Sequence, residues 1–154
     1  MAILHNVETA TAIGLDISKH ALQIAEKNAK RHEVLERLDL QISDIFANLK
    51  DEQFDLIVSN PPYIPQTDFE VLQAEVRDFE PTIALTDGKN GLSTIEKIVN
   101  DAPQFLKSHG FLLMEIGFNQ ANEVKKMFSP QIWQSVEILP DLQNIPRMIK
   151  AKIR

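Results

Sequence analysis

Apolar positions along this chain alternate between two spacings, and each change of spacing marks an element. Met1 to Val7 reads as the end of a helix, and Thr9 to Asp16 as a strand weakened by Gly14. Ser18 then offers an N-cap, and Leu22, Ala25 and Ala29 recur at helical spacing as far as His32. Leu38 to Ile42 alternates as a strand and closes at Ser43-Asp44. After a polar connection over 48–53 comes Phe54 to Val58. Its consecutive Leu56, Ile57 and Val58 predict a strand buried on both faces, as inside a parallel sheet.

The second half continues the pattern. Asp68 to Phe79 places Phe69, Leu72 and Val76 on one side of a predicted helix, which Pro81 stops. Asp87-Gly88-Lys89-Asn90-Gly91 is turn-rich, and Ser93 is a candidate cap for a helix facing Ile95, Ile98 and Val99 inward. Phe111 to Ile116 is a strongly apolar strand, and Asn119 to Phe128 a helix. Gln131 to Leu139 and Arg147 to Ile153 are two last strands, and the alternation of Ile149, Ala151 and Ile153 predicts a sheet edge with one wet face. Strands alternating with helices predict an α/β fold built on a mostly parallel, doubly wound sheet. The short connection between the last two strands makes that pair antiparallel.

The stretch with the most chemistry is Ser59-Asn60-Pro61-Pro62-Tyr63-Ile64, immediately after the central strand. Two prolines fix φ and cannot donate to a ladder, so the backbone there is stiff. Open α/β sheets bind ligands outside the carboxyl ends of their strands. An amide or ring-amino nitrogen is a poor nucleophile because its lone pair is delocalised. Asn60 and a proline-loop carbonyl can each accept one hydrogen of such an NH2 group, while Tyr63 covers its flat face. Against an electrophile such as a methyl on a sulfonium no strong base is needed, and positioning carries most of the catalysis.

Asp16 and Asp44 each end a predicted strand. An acid at the first of these places accepts hydrogen bonds from ribose hydroxyls in dinucleotide-type sites. At the second, a base could lie against the backbone and Ile45. His5, His20, His32 and His109 lack ligand-like spacing, so no metal site is predicted, and Trp133 is read as packing on an edge strand.

Composition narrows the classes. The 154 residues suffice for one domain with a core. With no cysteine, disulfide frameworks and thiolate metal sites are excluded, which fits a cytoplasmic location. No apolar run approaches a membrane span. A formal net charge of -6 without a basic block weighs against tight nucleic-acid binding and favours a protein or small-molecule partner.

These motifs together resemble one family. Asp16-Ile17-Ser18 with Ala21-Leu22, Ser43-Asp44-Ile45-Phe46 and Asn60-Pro61-Pro62-Tyr63-Ile64 are similar to motifs of the class I methyltransferases that modify peptide chain release factors. So are Glu80-Pro81 with Ala84-Leu85, Gly88 before Gly91-Leu92, Glu115-Ile116-Gly117 with Gln120, and Asp141-Leu142 with Pro146-Arg147. The resemblance runs from about Ala12 to Arg154. It implies a Rossmann-like sheet and methyl transfer from S-adenosylmethionine to the glutamine side-chain nitrogen of a release factor's Gly-Gly-Gln loop. By position, it implies that Asp16 holds the cofactor ribose and that Asp44 and Ile45 border the adenine. Asn60, Pro61, Pro62 and Tyr63 would hold the glutamine amide, with Asn60 also close to the cofactor.

The family's N-terminal helical domain, first strand and glycine-rich loop have no counterpart before Asp16; none of the five glycines precedes Gly14. The resemblance therefore implies that residues 1–154 form the C-terminal part of a catalytic domain, with a central strand missing between those ending at Asp16 and Asn60. Two alternatives stay open. Asn-Pro-Pro-Tyr also occurs in adenine and guanine N-methyltransferases acting on nucleic acid, and a truncated remnant without catalysis would carry the same downstream motifs.

Overall fold

The computed structural model describes residues 1–77 and 79–154. Contacts divide the chain into two units, Met1–Asp51 and Glu52–Arg154.

In the first unit, α1 (Ala2–Asn6) precedes β1 (Ala12–Asp16), α2 (Lys19–Arg31) and β2 (Leu38–Ile42). Ser18 caps α2 as its sequence predicts, its hydroxyl accepting from the Ala21 N–H at 3.2 Å. β1 and β2 run parallel, pairing Ala12 with Leu38 and Asp16 with Ile42. Leu4, Ala29 and Val34 are buried together, with Ala10, Ala12, Leu35 and Leu38 packed against them. The guanidinium of Arg37 donates to the carbonyls of Leu4 at 2.7 Å, Val7 at 3.1 Å and Ala10 at 2.9 Å. Leu4 belongs to the last turn of α1, whose carbonyls lack intrahelical partners, and Val7 and Ala10 follow the helix.

The second unit holds a four-stranded sheet in the order β3-β4-β6-β5, from β3 (Phe54–Ser59), β4 (Leu106–Glu115), β5 (Trp133–Pro140) and β6 (Pro146–Ile153). β3 and β4 are parallel, and β6 is antiparallel to both β4 and β5. The helices are α3 (Gln66–Phe69), α4 (Ala74–Arg77), α5 (Thr82–Leu85), α6 (Ser93–Asp101) and α7 (Ala121–Lys126). Ile95, Ile98 and Val99 of α6 are buried, as are Leu112, Met114, Ile149 and Ala151 on one face of the sheet. Trp133 is buried edge-to-face against Phe128, with ring centroids 5.1 Å apart.

The structure corrects five expectations. Ile57 is buried, but Leu56 and Val58 are 36% and 58% exposed, so β3 covers one face only. β3 is the last strand of its sheet, and a terminal strand lacks the double covering that a continuous parallel sheet gives. β6 is internal rather than an edge; β5 takes that place. The helix predicted over Asp68 to Phe79 is broken into α3 and α4, with Asp78 outside the described residues. Pro81 opens α5 instead of stopping a helix, its fixed φ suiting a helix start. Ser93 does not cap α6; its N–H is taken by the Asp87 carboxylate at 2.8 Å. The described strands thus form two separate sheets, β1–β2 in the first unit and β3-β4-β6-β5 in the second.

Candidate functional site

In the first unit, the carboxyl ends of β1 and β2 are level, and the Ser43 N–H donates to the Asp16 carbonyl at 3.0 Å. Asp16 is half-buried, and one carboxylate oxygen accepts from the Ser18 N–H at 2.8 Å. That bond orients the carboxylate, and its other oxygen retains acceptor capacity. Past β2, Asp44 is exposed and Ile45 half-buried. Ile45 sits at φ 52, in the left-handed region that a β-branched residue adopts only at a cost. One edge of the sheet therefore carries two acids and a branched apolar side chain on a constrained turn. Ionised carboxylates accept from hydroxyl groups, and a hydrocarbon side chain offers apolar contact.

In the second unit, parallel pairing of Ser59 with Met114 brings Asn60 and Glu115 to one edge of the sheet. Asn60 is exposed, Pro61 buried, and Pro62 and Tyr63 half-buried. The Tyr63 phenol donates to a Glu115 carboxylate oxygen at 2.8 Å. Burial of the ring first, and then the bond and charge of Glu115, hold this phenol above the ordinary tyrosine range. Backbone bonds from Ile64 N–H to the Leu85 carbonyl (2.9 Å) and from Gln66 N–H to the Lys89 carbonyl (2.8 Å) attach the loop to the turn before α6.

That turn is built by Asp87. Its carboxylate accepts from the N–H groups of Lys89, Gly91 and Ser93 at 2.8–2.9 Å. Burial works against its charge, but these donors outweigh it and hold the carboxyl below its usual range. The turn delivers Gly91 against the loop so closely that a Cβ there would lie 2.2 Å from the Tyr63 carbonyl oxygen.

The structure thus groups Asp16, Asp44 and Ile45 at one sheet edge and Asn60, Pro61, Pro62 and Tyr63 at another. Sequence reading assigned no role to three side chains that brace the second group: Glu115, Asp87 and Gln120. The signal available was a polar residue just beyond an apolar strand and an aspartate opening a glycine turn. Among the described residues no cluster of three or more His, Asp or Glu side chains could hold a metal ion. Nor is any described helix long and apolar enough to cross a membrane.

A release factor glutamine methyltransferase of Geobacter sulfurreducens is 39% identical over 153 residues, covering 99% of this chain and 53% of that protein. One of Nitratidesulfovibrio vulgaris is 39% identical over 145 residues, 92% of this chain and 49% of that protein. The chain thus spans about half the length of the curated relatives it matches. A methyltransferase structure from Pyrococcus furiosus shares the fold, with a TM-score of 0.69 at 15% identity over 99% of this chain and 66% of that one. Residues 2–148 match the family described as "Methyltransferase domain", and with nearly the whole chain inside that match, the protein belongs to the methyltransferase-domain family.

Proposed function

We propose that this chain carries the acceptor- and nucleoside-binding part of an S-adenosylmethionine-dependent enzyme that methylates the glutamine side chain in the Gly-Gly-Gln loop of peptide chain release factors. The observation that carries this reading is an exposed Asn60 amide at the end of β3, followed by a braced Pro61-Pro62-Tyr63 loop. The names of the 39%-identical relatives support the same acceptor. Residues 1–154 serve as the C-terminal part of a catalytic domain, working in the cytoplasm on a protein partner.

The residues act mainly by positioning. S-adenosylmethionine, when bound, supplies a methyl group already electrophilic on its sulfonium. Asp16 accepts from ribose hydroxyls, and Asp44 and Ile45 border the adenine. The Asn60 side-chain oxygen and the Pro61 carbonyl accept the two hydrogens of the glutamine NH2 group, fixing its plane and the direction of its lone pair. Tyr63 lies over the flat face of the amide, and its phenol donates to Glu115. No side chain has to remove a proton before the nitrogen attacks, so alignment is the main contribution.

The test is to incubate the chain with methyl-labelled S-adenosylmethionine and either a release factor or duplex DNA. Label in the release factor that is lost with Asn60→Ala, while calorimetry shows cofactor affinity unchanged, supports the reading. Label in DNA instead, full turnover by Asn60→Ala, or a folded chain that binds no cofactor overturns it.

A further inference from the structure

Gln120 is 8% exposed, and both ends of its side-chain amide are occupied. Its oxygen accepts from the Gly117 N–H at 2.8 Å, and its nitrogen donates to the Tyr63 carbonyl at 2.9 Å and the Gly91 carbonyl at 3.4 Å. It stands at the N-cap position of α7 yet makes no side-chain bond to its own helix. One amide therefore links three separate segments: the end of β4, the Asp87 turn and the proline loop.

The two glycines it bonds lie too close for side chains. A Cβ on Gly117 would lie 2.7 Å from the Gln120 oxygen and 3.2 Å from the Tyr63 ring, and one on Gly91 would strike the Tyr63 carbonyl. The clearance around Tyr63 is thus set by backbone and by one amide. Tyr63 is otherwise held at its phenol by Glu115 and at the following N–H by Leu85. Two prolines make the segment between Asn60 and Tyr63 stiff, so an error in the Tyr63 backbone is passed to Asn60 rather than absorbed.

We propose that Gln120 is a positioning residue: through the Tyr63 carbonyl it fixes the height and tilt of the Asn60–Tyr63 loop, without touching the acceptor. The kinetic part of the test rests on the function proposed above; the structural part does not. The chain has one tyrosine, so 3-fluorotyrosine labelling gives a single 19F resonance from residue 63.

The experiment compares the whole chain with Gln120→Leu and with Leu106→Ala. Leu106 is a buried residue at the opposite end of β4 from Glu115 and reports general loss of stability. In Gln120→Leu the fluorine signal should move toward its unfolded position or split at neutral pH, and in Leu106→Ala it should stay. Methyl transfer by Gln120→Leu should fall about a hundredfold in kcat, as a 1 Å misplacement does, with KM for S-adenosylmethionine within about twofold of the parent. Gln120→Glu keeps an acceptor for Gly117 but loses the donor to Tyr63, and should reproduce both effects; it takes over if the leucine variant does not fold.

An unmoved fluorine signal in folded Gln120 variants, or an equal shift in Leu106→Ala, overturns the positioning role. So does an unchanged kcat. If the parent chain itself transfers no methyl group, the proposed function fails while the fluorine comparison still decides the role of Gln120.

Discussion

The Tyr63 phenol and the Glu115 carboxylate meet at 2.8 Å, joining the loop beyond β3 to the last residue of β4. Its pH consequence has a definite sign. Because folding raises the phenol's pKa, the fold's preference for the protonated form is fully present below the unfolded value of about 10 and is lost as pH rises through the higher folded value. Glu115→Gln removes the charge but leaves the burial, the larger cause. The Tyr63 titration should therefore move only part of the way down. Absorbance of the tyrosinate reads it, since this is the sole tyrosine; an unmoved midpoint would remove Glu115 as a cause.

Asp16→Ala is expected to weaken S-adenosylmethionine binding by about 1–3 kcal/mol, the range for lost hydrogen bonds to a charged group. Calorimetric titration of the folded variant gives the change directly. A dissociation constant equal to the parent's would take Asp16 out of the site.

Gly88 and Gly91 share a left-handed backbone, at φ 72 and 75, in unlike surroundings. A Cβ at Gly88 meets nothing within 4 Å, whereas one at Gly91 collides with the Tyr63 carbonyl. Gly88→Ala should cost about 1–2 kcal/mol, the left-handed penalty alone. Gly91→Ala should cost about 1–3 kcal/mol more, because the loop has to shift. Urea denaturation of the pair measures the difference, and equal losses would contradict the close approach.

Arg37 spreads its guanidinium over the carbonyls of Leu4, Val7 and Ala10. Arg37→Ala should destabilise the first unit by about 2–3 kcal/mol, the scale of charge-assisted bonds to backbone. Arg37→Lys should recover only part of that, because an ammonium cannot reproduce the planar fork. Faster hydrogen exchange confined to residues 1–51 is the expected signature, and exchange unchanged there would contradict it.

Local rules were read most faithfully where the deciding partner lay within one turn of chain. β2 spans Leu38–Ile42 as its alternation predicts, and Ser18 caps α2 from three residues away. Where the partner came from elsewhere, the reading failed. Ser93 has the residue type of a cap, but it is the first residue of α6, with Leu92 at the N-cap position and its own N–H donating to Asp87 six residues upstream. Phe69, Leu72 and Val76 do share a half-buried pattern, yet a turn over 70–73 breaks the helix that their spacing implies. The positions of Asp16 at the end of β1 and of Asn60 just past β3 were legible because each is fixed by its own strand. Gln120 was visible only as a motif letter, since its role depends on carbonyls 57 and 29 residues away in sequence.

The paired prolines also bear on how a ligand is admitted. Pro61 and Pro62 have almost no φ freedom to surrender, and the carbonyl that follows them is already fixed from behind. Ordering entropy is therefore lost when the chain folds rather than when an acceptor arrives, which favours tight discrimination between acceptor shapes over adaptation to many. On the function proposed above, a change of acceptor would come through the side chains at Asn60 and Tyr63, because the path of the loop leaves little to vary.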